Sequence, residues 1–270
     1  MKFTYQILLI ANTILILSCC AIVNADISYS GGTYSQNFDG LANSGNNNLW
    51  ANDSTLQGWS LFQSAGTAIT SYNAGNGNSA VGRFYSYGST GSSERSFGVL
   101  GSGASYFGSP ATGTLAGHIA VQVTNNTGLT IDSFTLGFDG EQWRNAGNLN
   151  AQAMNLEYGF GNTFAGVSTW NAPGGNFNWS SIVNSASAAA VDGNATGKVA
   201  GLGGTINSLN WNQGTSLWVR WIETNDIGND HGMAIDNFAF SATTVAIPEP
   251  ASGVLVLIGF WALGLRRRRN

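Results

Sequence analysis

Cysteine, proline and charge are all scarce in this chain of 270 residues. Its two cysteines, Cys19 and Cys20, are adjacent and close to the N-terminus, and 9 % of the residues are charged. A disulfide framework is therefore excluded from the rest of the chain, whose stability must come from an apolar core. Two histidines, His118 and His231, and the few acids leave a thin supply of the converging nucleophiles, bases and metal ligands that catalysis requires.

What charge there is divides unevenly. Lys2 and Arg266, Arg267, Arg268 and Arg269 lie in the terminal segments, while residues 26–245 hold 13 acids against 5 bases. A surface of that sign repels phosphate backbones, so nucleic acid is not an expected partner. Glycine is abundant, with 37 positions, and Asn, Ser and Thr supply most of the polar surface. That profile suits turn-rich β structure outside the cell.

At the N-terminus Lys2 is followed by an apolar run from Ile7 to Leu17 and then by Val23-Asn24-Ala25. The pattern predicts a secretory signal over 1–25, cut by signal peptidase after Ala25, which would remove both cysteines. A lipobox-like reading of Ile16-Leu17-Ser18-Cys19, with Cys19 acylated, is the competing one.

The other end reads Pro248-Glu249-Pro250, then fifteen uncharged, mainly apolar residues from Ala251 to Leu265, then Arg266 to Arg269. A helix of that length, at about 1.5 Å per residue, covers roughly 22 Å, short of the roughly 30 Å hydrocarbon core. The arginine flank orients such a helix with its arginines cytoplasmic and the body outside the inner membrane. In their order, these three parts resemble the PEP-CTERM sorting signal of Gram-negative bacteria, over about the last 25 residues. The resemblance implies that an exosortase-like membrane enzyme recognises Pro248, Glu249 and Pro250 and passes the body to the cell surface, often with exopolysaccharide. A plain C-terminal membrane anchor is the alternative.

Between these segments, apolar residues alternate in short runs broken by Gly, Asn, Ser and Asp. Ile119, Val121 and Val123 form one face, as do Phe134, Leu136 and Phe138, and Met154, Leu156 and Tyr158. Leu217, Val219 and Trp221 form another, with Trp218, Arg220 and Ile222 opposite, and Phe238 and Phe240 close the series. Period two over many short segments predicts an all-β domain over 26–244, a single antiparallel β-sandwich that is jelly-roll-like. The 245–270 segment follows as sorting signal or anchor, giving a β domain flanked by an N-terminal signal helix and a C-terminal hydrophobic helix. Within the body only Ser181–Val191 reads as a short helix.

Three groups of residues carry whatever chemistry the body has. From Glu223 to Asn237, the acids and amides include Asn225, Asp226, Asp230 and Asp236, with Gly228 and Gly232 permitting bends. Oxygen donors on a bendable loop suit a calcium ion, although the spacing is not that of an EF-hand and the same residues stabilise turns without metal. His231 lies in this stretch and is, with Glu141, a candidate ligand-binding residue, whereas His118 heads an apolar strand and is expected at the surface or the strand end. Glu141 and Arg144, in Gly140-Glu141-Gln142-Trp143-Arg144-Asn145, are expected to pair as ions, with ligand binding by Arg144 as the alternative. Of the nine tryptophans most belong in a core, and Trp143 and Trp179, flanked by polar residues, are candidates for a sugar-stacking platform.

Gln36-Asn37-Phe38-Asp39, Trp50, Gly58-Trp59, Gly140 to Arg144, Trp211 to Gly214, Leu217-Trp218-Val219-Arg220-Trp221 and Asp226 to Asp236 also resemble an exported bacterial domain. That domain occurs in PEP-CTERM proteins and ahead of secreted nuclease or phosphoesterase domains. The resemblance brings no activity with it. Two function classes follow: a non-catalytic surface or matrix module associated with exopolysaccharide, or a polysaccharide hydrolase using Glu141 with Asp230 or Asp236. A coat protein without a specific ligand is a variant of the first.

Overall fold

A computed structural model describes residues 26–245. The signal segment with Ala25, the Pro248-Glu249-Pro250 motif, the arginine cluster and both expected terminal helices lie outside the described residues. Among the described residues no helix is long and apolar enough to cross a membrane.

The alternating runs become strands of two facing sheets. One sheet contains β1 (Ile27–Tyr29), β4 (Trp59–Gln63), β8 (Thr114–Asn125), β10 (Ala153–Phe160), β11 (Trp179–Ser180) and β14 (Ser216–Asn225). Its order is β1-β8-β14-β10-β11, with β4 sharing the β8 edge with β1. The larger sheet contains β2 (Thr33–Gln36), β3 (Asn48–Leu49), β5 (Ser71–Gly75), β6 (Arg83–Tyr87), β7 (Ser96–Leu100), β9 (Ile131–Asn145), β12 (Ala189–Ala190), β13 (Lys198–Ile206) and β15 (Gly232–Thr244). It runs β12-β9-β15-β7-β6-β5-β3, with β13 also on β9 and β2 also on β15.

The apolar faces read from the sequence meet between the sheets. Ile119, Val121, Val123, Leu156, Leu217, Val219 and Trp221 from one side pack against Phe134, Leu136, Phe138, Ile235, Phe238 and Phe240 from the other. Trp59 and Trp221 stack at the centre, with ring centroids 5.9 Å apart, and Phe138 and Phe238 meet Trp221 edge-on. Such contacts supply much of the cohesion that disulfides provide in smaller secreted domains. The opposite face of β14 is also covered: Trp218 packs with Phe164 and Val167, and Arg220 lies over Trp170 while pairing with Glu157.

Three expectations change. The sheets are mixed, because β1 pairs parallel with β8 and β5 parallel with β6. In the second case residues 76–82 run back along the strands over the outer face of the larger sheet, and this return segment later helps to form a pocket. The Ser181–Val191 stretch is not a helix. Two side chains on β9 bind its backbone instead: Gln142 Oε1 accepts from Ile182 N and Val183 N while its Nε2 donates to Val183 O, and Asn145 Nδ2 donates to Ser185 O and Ser187 O. These bonds use backbone groups that a helix would have paired internally. His118 is also not at the surface; it is buried in mid-sheet beside Phe164.

Candidate functional site

The outer face of the larger sheet carries a second, smaller core. Tyr85, Tyr87, Leu100, Trp143 and Ala234 cluster there, with Tyr85 stacked on Tyr87 and Tyr87 parallel to Trp143. A bulge shapes the β9 edge of this face. Gly232 pairs with Arg144 and Met233 with Gln142, so Trp143 is the extra residue on β9. Strict alternation would turn Arg144 inward, but the bulge returns it to the outer face, where its Cβ lies next to Gly232 and its Nη1 donates to Gly77 O and Asn78 O.

Arg144 thereby reaches a cavity of about 300 Å³, whose walls include Ala80 of the return segment, Gly101 to Gly103 after β7, Asn225, Asn229 and Asp230. The loop from Asn225 to His231 forms one wall and is held by amide side chains. Asn148 Nδ2 donates to Ile227 O and Asn229 O, Gln152 Nε2 donates to Asn229 O, and Gln152 Oε1 accepts from His231 N. Asp230 Oδ1 accepts from Asp226 N at 2.7 Å, closing the turn from within. Beneath it Glu223 Oε1 accepts from Gly101 N at 2.9 Å. Gly101 is required there, because a Cβ would stand 2.6 Å from Thr224 O and 2.7 Å from Glu223 Oε1.

Burial governs the ionisation of this wall. It holds the Glu223 carboxyl well above the usual carboxylate range, with the charges of Asp230 and Asp226 adding to the rise. It pushes Asp230 up to about 7 and also raises Asp226. His231 is lowered by burial, and its Nδ1 accepts from Ala146 N, a bond only the neutral ring can make.

Asp236 does not join Asn225, Asp226 and Asp230. It lies on β15, where its carboxyl gathers with those of Glu141 and Glu94, one oxygen of each within 4.8 Å of the others. Burial pushes Asp236 up to about 7 and raises Glu141. The expected Glu141–Arg144 ion pair is not made: Glu141 Oε2 accepts from Trp143 Nε1, and Arg144 reaches carbonyls of the return segment. Glu141 is 0 % exposed, which denies a sugar the access that an acid or base for its hydrolysis would need.

Trp143 and Trp179 are buried, Trp143 beneath Gly193 and Trp179 against Gly140 in the main core. Neither presents a ring face to solvent. Sequence reading missed Glu94, Ser96, Tyr87 and Gly101, which come from chain segments that look like ordinary loop or strand. Only the Tyr85–Tyr87 alternation, with its apolar outer face, hinted that this side of the sheet is covered.

Comparison with protein families gives no matching family model, and no curated protein matches the sequence. Among solved structures the chain is similar to the CBM22-1 xylan-binding domain from Paenibacillus barcinonensis, with a TM-score of 0.38 and 10 % identity over 81 % of this chain and 99 % of that one. A likeness at that level assigns neither a family nor a ligand.

Proposed function

We propose that the protein is an exported surface or matrix component whose β-sandwich holds exopolysaccharide without cleaving it. The observation that carries this reading is the pocket between the return segment and the 225–231 loop. Its lining of guanidinium, amide, carboxyl and glycine backbone offers the dense planar hydrogen bonding that hydroxyl-rich ligands need, in a volume of about 300 Å³ suited to one or two saccharide units. None of its lining residues is aromatic, so recognition there proceeds by hydrogen bonds rather than ring stacking.

Export by signal peptidase and sorting by an exosortase-like enzyme rest on the terminal sequences, and so does transient residence in the inner membrane with the arginines cytoplasmic. The sandwich is of jelly-roll type in this reading, since β8, β9, β10, β13, β14 and β15 alternate between the two sheets. Titration calorimetry with oligosaccharides released from the host's exopolysaccharide tests the binding role. Saturable binding that Arg144→Ala weakens about tenfold, roughly the loss of one charge-assisted bond, is the expected result. Absence of binding, or release of shorter products during incubation, would overturn it.

A further inference from the structure

We infer that Glu94, Glu141, Asp236 and Ser96 form a binding site for a calcium-like divalent cation, separate from the 225–231 loop. Three neighbouring pieces of the larger sheet converge there. Glu141 is on β9, Asp236 on β15, and Ser96 starts β7 with Glu94 just before it. Each lies on the outer face, where Asn194 reaches Glu94 and Gly193 packs on Trp143.

The carboxylates are oriented so that each keeps a free oxygen. Glu141 Oε2 is occupied by Trp143 Nε1 and Glu94 Oε2 by Asn194 Nδ2, while Glu94 Oε1, Glu141 Oε1 and Asp236 Oδ1 are buried without a hydrogen-bond partner. A second feature points the same way. Ser96, 0 % exposed, brings its hydroxyl to the Glu141 carboxyl, where it can donate its proton, and its oxygen lone pairs accept from no protein donor. Three carboxylate oxygens without a protein donor, facing one another in a buried place, are rare in native proteins unless something bridges them.

The donors decide the class of ion. All are hard oxygens, with no imidazole or thiolate, which favours calcium or magnesium over zinc or copper. Carboxylate oxygens within 4.8 Å of one another fit around an ion at about 2.3–2.6 Å, because opposite ligands are then about 4.6–5.2 Å apart. Donors drawn from three strands give an irregular set that calcium tolerates, whereas magnesium demands near-octahedral geometry and keeps its waters. Lys198 acts on Glu141 and Asp236, and Arg95 on Glu94, only through the longer-range field: the Lys198 ammonium pairs with Asp139 at 2.9 Å, and among the described residues none of the three carboxylates forms a salt bridge.

The test uses the full chain, stripped of metal with a chelator and titrated with Ca²⁺ by calorimetry and thermal unfolding. One ion per chain is expected, with Tm rising by about 5 °C or more at a hundredfold excess over Kd. Asp236→Asn weakens binding by about tenfold or more, while Asp226→Asn leaves it unchanged. No heat and no change in Tm with the wild-type chain overturns the site, as does loss of binding in Asp226→Asn alone. Should Asp236→Asn fail to fold, Tb³⁺ replaces Ca²⁺ in the wild-type chain. Emission sensitised by the Trp143 indole, displaced by Ca²⁺ and lost in Trp143→Phe, supports the site; emission that survives Trp143→Phe overturns it.

Discussion

The indole Nε1 of Trp143 donates to Glu141 Oε2 at 2.9 Å, two residues back on the same strand. The bulge on β9 makes this contact compatible with a buried Trp143, and it fixes which carboxylate oxygen stays free. Trp143→Phe removes the donor and leaves a second buried oxygen of Glu141 unpaired. The expected cost is about 1–3 kcal/mol, read as a lower denaturation midpoint at unchanged m-value. A loss below about 0.5 kcal/mol, the usual effect of a surface change, would show that the bond is not stabilising.

Gln142 determines the path of the neighbouring loop. Its side chain makes bonds of 2.9 and 2.7 Å to the amides of Ile182 and Val183 and one of 2.8 Å to Val183 O. Gln142→Ala is expected to accelerate amide exchange at Ile182 and Val183 by at least tenfold, about 1.4 kcal/mol of lost local protection, while the β14 amides change far less. Unchanged exchange at Ile182 and Val183 would remove Gln142 from that role.

Acid sensitivity is expected from His118. Burial, then the charge of Arg220, lowers its pKa to about 3 from the ordinary 6.5. The unfolded chain takes up the proton below the ordinary value and the folded chain does not, so stability is full above that value and is lost as pH falls toward 3. The slope is at most about 1.4 kcal/mol per pH unit. His118→Gln should flatten this limb in Tm measured against pH; an equally steep limb in the variant would count against it.

Asp230 predicts the opposite slope. Its folded pKa, pushed up to about 7 from 3.8, means that the folded chain keeps a proton the unfolded chain has released. Stability is therefore fully present below the unfolded value and lost as pH rises toward 7. Asp230→Asn keeps an acceptor for Asp226 N but carries no charge. Relative to wild type it should gain Tm on going from pH 4 to pH 8, and a difference independent of pH would refute the assignment.

Gly101 and Gly113 separate crowding from conformation. A Cβ at Gly101 meets Thr224 O at 2.6 Å, whereas Gly113, with φ +78, has nothing within 4 Å. Gly113→Ala should cost only the left-handed backbone term, about 1–2 kcal/mol. Gly101→Ala should cost more, since backbone must shift and the Glu223 contact with Gly101 N is disturbed. Equal losses in the two variants would mean that the β14 end gives way easily.

The sequence by itself determined the sandwich faces, because period two is imposed by the pleat: Ile119, Val121 and Val123 or Leu217, Val219 and Trp221 have no other way to share one side. It also gave the loop around Asp226 and Asp230 its turns, since Asp, Asn and Gly act locally. The expectations for the two termini rest in the same way on linear patterns, and those segments lie outside the described residues. Tertiary structure decided what distant segments share. It moved Asp236 away from Asp230 to join Glu94 and Glu141, because neighbours across a sheet are set by register and not by spacing along the chain. It turned Arg144 outward through one bulged residue, buried Trp143 and Trp179, and replaced a helix at 181–191 with bonds from Gln142 and Asn145. Each of these depends on the pairing partner of a strand or on what covers its outer face, and neither is written in the local sequence.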